Sequence, residues 1–151
     1  MSLFLLSLLA LSVDAAVRHP ATKVVDVYAR ARAVDTGLCV RAGETLRFST
    51  PPGAVWVDAG AKRAADGSGA SWFYPRYMRL WSRCLAAPRS PAFALHGRVG
   101  SGKVFLIGLD GEMKFHEAGP LVLFTNDVPL FYWNNWGSIA VQINRTSKSP
   151  R

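Results

Sequence analysis

Apolar and polar residues alternate along most of the chain, in short runs broken by Gly and Pro. Residues 24–33 place Val25, Val27, Ala29 and Ala31 at every second position, the period of a strand with one buried face. Residues 38–41 and 44–49 read as a further pair of strands joined at Ala42-Gly43, with Leu46 and Phe48 alternating with Arg47 and Ser49. A strand around Trp56 (54–58) is followed by a looser stretch rich in Ala, Gly, Ser and Asp (59–71). Strands are expected again at 92–99 and 104–109, with Asp110-Gly111 as a tight hairpin turn and 112–117 as the return. Gly119-Pro120 opens an apolar strand at 121–125, and 137–143 forms the last one. The period changes at 76–86, where Tyr77, Leu80, Trp81, Cys84 and Leu85 share one side of a helix that Pro88 and Pro91 end. Roughly eight or nine short strands with closely spaced turn signals predict an all-β sandwich with one short helix.

The two ends lie outside this pattern. Residues 3–13 form an apolar run too short to span a bilayer, ending at Val13-Asp14-Ala15. This is the form of a signal peptide (1–15) cleaved after Ala15, so the mature protein is expected to be secreted or periplasmic. No other segment approaches the ~20 apolar residues of a membrane helix, so no stable membrane insertion is expected after cleavage. The sandwich is expected over 24–145, and 146–151 is a polar tail.

Composition agrees with one folded domain: 151 residues, 50% of them hydrophobic and 19% charged, suffice for a real core. Cys39 and Cys84 either pair in an oxidising compartment or are two small buried hydrophobes. The net charge of +8 favours acidic partners. The basic residues are mostly scattered and an exported protein meets little nucleic acid, so nucleic acid is not expected as a partner. One cluster, Arg76, Arg79, Arg83 and Arg89 with Tyr77 and Trp81, is either a solvated face or a contact for a phosphate or uronic acid.

Several motifs fail on inspection. Gly97 to Lys103 imitates a phosphate-binding loop, but Val104 stands where a magnesium-binding Ser or Thr is required and a strand follows, so it reads as a glycine hairpin. His19, His96 and His116 have no spaced partners that suggest zinc. Asp66-Gly-Ser-Gly69 lacks the alternating acids of a calcium loop and reads as a turn. Nothing places two of Asp110, Glu112 and Glu117 across a cleft as a glycosidase pair, and no nucleophile elbow occurs. An enzyme is therefore not expected.

One constellation survives. Residues 126–138, Asn-Asp-Val-Pro-Leu-Phe-Tyr-Trp-Asn-Asn-Trp-Gly-Ser, join two strong strands. The loop offers one carboxylate, Asp127, and two amides, Asn134 and Asn135, on a turn stiffened by Pro129. Calcium takes about six to eight oxygens from such groups and from backbone carbonyls. The same residues also suit a turn whose side chains bond their own backbone. Tyr132, Trp133 and Trp136 flank the ligands and are expected to form a platform for the apolar face of a pyranose, unless they point into the core.

Asn126-Asp127-Val128-Pro129 followed by Asn134-Asn135-x-Gly137-Ser138 resembles the calcium and sugar loop of the LecA-like (PA-I) galactophilic lectins. Asp35-Thr36-Gly37, Val40-x-Ala42-Gly43, the strand leading to Trp56, Gly97-Arg98-Val99-Gly100 and Gly119-x-Leu121 resemble related segments, so the likeness runs over residues 24–145. It implies a jelly-roll β-sandwich of the galactose-binding-domain type, with one calcium ion that sugar hydroxyls coordinate directly. Carried over, Asp127, Asn134 and Asn135 would be side-chain ligands, Phe131 would give its carbonyl, and another carbonyl would come from near Ala59. Asp127, Val128 and Asn134 would also touch the sugar. The family's second sugar loop carries His-Pro-x-Gln. The match here, Tyr74-Pro75-Arg76-Tyr77, keeps only the proline, which puts Tyr74 and Tyr77 at the sugar and leaves the sugar's identity open.

The resulting expectation is calcium-dependent carbohydrate binding, with a galactoside or an acidic glycan as ligand, by a domain that can also oligomerise. The alternative is an exported structural sandwich that contacts protein or an anionic surface and no longer binds sugar. Exported protein should begin at or near Ala16, and mass spectrometry finding an intact Met1 would contradict the signal peptide.

Overall fold

A computed structural model describes residues 21–69 and 80–146. The signal-peptide segment, Tyr74, Tyr77, Arg76, Arg79 and residues 147–151 of the tail lie outside the described residues.

Eleven strands are found among them, all paired antiparallel: β1 (Thr22–Tyr28), β2 (Val34–Val40), β3 (Thr45–Ser49), β4 (Val55–Asp58), β5 (Ala61–Ala64), β6 (Leu95–Val99), β7 (Phe105–Leu106), β8 (Asp110–Lys114), β9 (Gly119–Thr125), β10 (Asn135–Trp136) and β11 (Ser138–Arg145). One four-stranded sheet runs β1-β11-β3-β8 and another β2-β9-β6-β7, while β10-β4-β5 form a three-stranded sheet. Val25, Val27, Leu46, Phe48, Ile139, Val141 and Ile143 of the first sheet share one buried cluster with Leu38, Val40, Leu95, Val99, Leu121 and Leu123 of the second. Two sheets with one common core make a β-sandwich. The period-two alternation is its cause: in β11 the burial of Ile139, Val141 and Ile143 follows directly from the Ser-Ile-Ala-Val-Gln-Ile pattern.

Three expectations are corrected. The strands flanking Ala42-Gly43 do not form a hairpin: β2 pairs with β9, and β3 pairs with β11 and β8, so the turn carries the chain from one sheet to the other. Alternation predicts a strand's faces but is silent on its neighbour. Asp110-Gly111 is not a hairpin turn either. Both lie inside β8, and the reversal occurs earlier, around Gly108 with φ +70. Its two flanking strands again belong to different sheets. Within the looser stretch, β4 and β5 form a hairpin closed by Ala59 (φ +46) and Gly60 (φ +87), the left-handed pair of a type I′ turn. Ala-Gly is a weak signal for that turn, since Asn or Asp normally takes the first place.

Other readings hold. Gly97 to Lys103 is a hairpin between β6 and β7, and Gly97 is needed there because a Cβ would stand 2.6 Å from the Phe105 ring. Asp66 forms a side-chain turn with the Ser68 N–H at 2.8 Å. Of the helix expected over 76–86, the described part contains a 3-10 turn at Ser82–Cys84. Cys39 and Cys84 are both free and exposed, so they neither pair nor lie in the core. Among the described residues no helix is long and apolar enough to cross a membrane.

The third sheet is fastened to the sandwich by Trp56 on β4. Its indole is fully buried, donates to the Phe93 carbonyl at 3.2 Å, and meets the Phe93 ring edge-on at 6.4 Å. Phe93 has φ +65, a left-handed conformation that costs a bulky residue about 1–3 kcal/mol. It is held there by its N–H bond to the Asn126 carbonyl at 2.7 Å. The Asn126 side chain, wholly buried, accepts from the Ala87 N–H and donates to the carbonyls of Ala87 and Pro91 at 2.9, 3.0 and 3.1 Å. One amide thus ties residues 87–91 to the end of β9. Asn126→Ala should leave these groups unpaired and lower stability by about 3 kcal/mol in urea unfolding; a loss under about 1 kcal/mol would mean that water replaces the amide at little cost.

Candidate functional site

The loop between β9 and β11 starts at that amide and is pinned twice more. The Tyr132 side chain folds inward and its hydroxyl donates to the Thr125 carbonyl at 2.5 Å. The Arg32 guanidinium donates to the Pro129 carbonyl at 2.7 Å. Between these points Phe131 leads into a 3-10 turn, Tyr132–Asn134, in which the Phe131 carbonyl accepts the Asn134 N–H at 3.1 Å. The chain then enters β10, which pairs with β4 so that Asn135 lies opposite Asp58 and Trp136 opposite Val57.

Asp127 is 2% exposed. Its Oδ1 accepts the Val128 N–H at 2.6 Å, and its Oδ2 accepts the Asn135 side-chain N–H at 2.9 Å. Asn135 is completely buried, and its Nδ2 also donates to the Ala29 carbonyl at 3.2 Å. Two acceptors on that side fix which end of the amide faces them. Its Oδ1 must point away, and it has no hydrogen-bond partner. The Oδ1 of Asn134 is also buried without one. A buried oxygen left unpaired costs about 1–3 kcal/mol, so both are free to accept from or coordinate a further group.

Sequence reasoning missed Asp58. It is 5% exposed and lies on the buried face of β4, two residues after Trp56. The signal was present: an acid on the same face as a core tryptophan is an exception to ordinary burial. Its charge is felt at Asp127. Burial pushes the Asp127 carboxyl up to about 6, against the opposing hydrogen bonds from Asn135 and Val128, and the negative charge of Asp58 adds to the push. Among the described residues no three of His, Cys, Asp and Glu gather together. The Asp127 carboxylate and the amides of Asn134 and Asn135 are oxygen-bearing groups, of a kind that suits a hard cation better than zinc.

The structure therefore brings together Asp127, Asn135 and Asn134. Ala59 joins them through its N–H, 3.3 Å from the Asn134 carbonyl. The Phe131 carbonyl sits at the start of the turn, with one lone pair left after its bond to Asn134. Val128 is buried against Leu85 in a small cluster that Trp81, Ala92 and Phe131 cover, so its side chain faces the interior. Tyr132 does not belong to an aromatic platform, because its hydroxyl found the Thr125 carbonyl and its ring is buried. Trp133 and Trp136 are 69% and 57% exposed. The Arg30 guanidinium lies 4.8 Å from the centre of the Trp136 ring. His96 is a core residue, its ring nitrogens bonded to the Ala94 carbonyl and the Ser90 hydroxyl.

No family model matches the chain, and no curated protein is similar to it in sequence. Among solved structures, it is similar to the EclA N-terminal domain, a PllA-like lectin, with a TM-score of 0.55 and 19% identity over 82% of this chain and 95% of that one. The fold is that of a lectin-like β-sandwich. That structural relative is a lectin, and the fold here carries the buried, unpartnered oxygens of Asn134 and Asn135 on the loop between β9 and β11.

The raised Asp127 carboxyl makes a linked prediction for the metal-free protein. Its folded value, about 6, lies above the ordinary 3.8, so the folded state holds a proton that the unfolded chain has released. Stability in chelator should then fall as pH rises from about 4 to about 6, by on the order of 3 kcal/mol. Asp127→Asn should flatten that window in urea titrations at each pH, and an equally steep fall in the variant would assign the effect to another group.

Proposed function

We propose that this chain is an exported calcium-dependent carbohydrate-binding domain of the LecA-like kind, with a galactoside as ligand. The observation that carries the reading is that the amide oxygens of Asn134 and Asn135 are buried without partners on the loop that also holds the buried Asp127 carboxylate. They meet the chemical demand of calcium for carboxylate and amide oxygens, and the carbonyls of Phe131 and Ala59 supply the remaining protein donors in this reading. A bound calcium ion would offer its open coordination positions to vicinal hydroxyls of a pyranose.

The protein's own part is to hold the donors rigid and apart from bulk water. Asn135 keeps Asp127 in place by one hydrogen bond while its own oxygen stays free. Pro129 and Tyr132 are tied down at either side, so the loop needs little ordering when a ligand arrives. Trp133 and Trp136, adjacent in sequence to Asn134 and Asn135, present exposed rings, and such faces pack well on the C–H side of a sugar. Arg30 beside Trp136 adds a donor for a carboxylated glycan.

Calcium should raise the melting temperature by several degrees, corresponding to about 2.7 kcal/mol at a hundredfold excess over its dissociation constant. Asp127→Asn keeps the shape and removes the charge, so it should abolish both the calcium shift and retention on immobilised galactose. An unchanged shift in that variant would place the ion elsewhere, and retention in chelator would remove calcium from the mechanism.

A further inference from the structure

The proposed calcium site has one acid on its loop, but the fold brings a second from another strand. In the antiparallel β4–β10 pair, Asp58 stands directly opposite Asn135. Directly opposed residues project to the same side, with Cβ atoms roughly 5 Å apart. Both side chains are buried, so that side is the interior. The Asn135 amide is meanwhile bonded to Asp127 Oδ2 at 2.9 Å. It therefore neighbours both carboxylates, and its fully buried Oδ1 is the atom left without a partner. The Ala59-Gly60 turn follows at once and returns the chain to the Asn134 carbonyl through the Ala59 N–H.

We infer that Asp58 is a second carboxylate of the cation centre, contributed by β4 across the strand edge, and that it sets the centre's charge to match a divalent or trivalent hard cation. This rests on the metal-binding reading given above and extends it. One carboxylate with neutral oxygens leaves a bound dication with net positive charge in a low-dielectric site. Two carboxylates neutralise it.

The test is Asp58→Asn, which keeps volume and one acceptor oxygen. Binding of calcium alone is measured by calorimetry. Binding of terbium(III) alone is measured by its luminescence, excited through the neighbouring Tyr132, Trp133 and Trp136. A carboxylate ligand predicts calcium affinity lower by roughly tenfold or more, and a larger factor for terbium, because Coulomb energy scales with ion charge. Unchanged affinity for both ions, or losses of equal size for the two, overturns the inference, because a structural distortion does not discriminate by charge. Should Asp58→Asn be unfolded in chelator, Asp58→Ser is read by the same ratio. Failure of the parent protein to bind either ion would overturn the calcium reading together with this one, whereas binding by the parent and an unaltered variant would overturn only the role of Asp58.

Discussion

The buried indole of Trp56 donates to the Phe93 carbonyl, and that bond sets β4 against the sandwich. Phe93 in turn is kept in a strained left-handed conformation by Asn126, whose side chain clamps residues 87–91. A short strand at a sheet edge has little holding power of its own: β10 and β4 share only two register pairs. Its position has to come from packing. With Trp56 buried, strand alternation turns Asp58 inward as well, and pairing then sets Asn135 beside it. The side chains of the site are placed by a tryptophan that belongs to none of its chemistry.

That placement runs against ordinary stability. Desolvating a carboxylate, leaving an amide oxygen bare and seating a second acid nearby are each unfavourable. A sandwich of this size needs none of them to stay folded, because its core of aliphatic and aromatic residues is continuous across both sheets. Local costs gathered at one point, with a well-packed scaffold around them, are what a ligand site requires. The backbone strain at Ala59 and Phe93 falls in the same region, on the two segments that converge on the loop.

The likeness to a PllA-like lectin domain extends over most of the chain at 19% identity. At that distance the likeness is one of fold, with a TM-score of 0.55. Trp133 and Trp136 are exposed, with Arg30 over the ring of the latter. Tyr132 differs: its ring serves the loop from inside, so adjacent aromatics in one run divide between surface and interior.

Much of this was legible in the chain. Period-two alternation located most strands, because the faces of a strand are a local property of its residues. The Asn-Asp-Val-Pro and Asn-Asn-x-Gly run marked the loop, because small oxygen-bearing side chains near a proline suit either a turn that bonds its own backbone or a set of oxygen donors. Tertiary structure alone decided three things. It decided that the turns at Ala42-Gly43 and Gly108 cross between sheets, since alternation does not name a strand's partner. It decided that Tyr132 is buried and Trp133 is not, since a 3-10 turn obeys neither the strand nor the helix period. And it brought Asp58 to Asp127 across 69 positions, since burial of Trp56 and cross-strand register, both long-range, determine where that carboxylate lies.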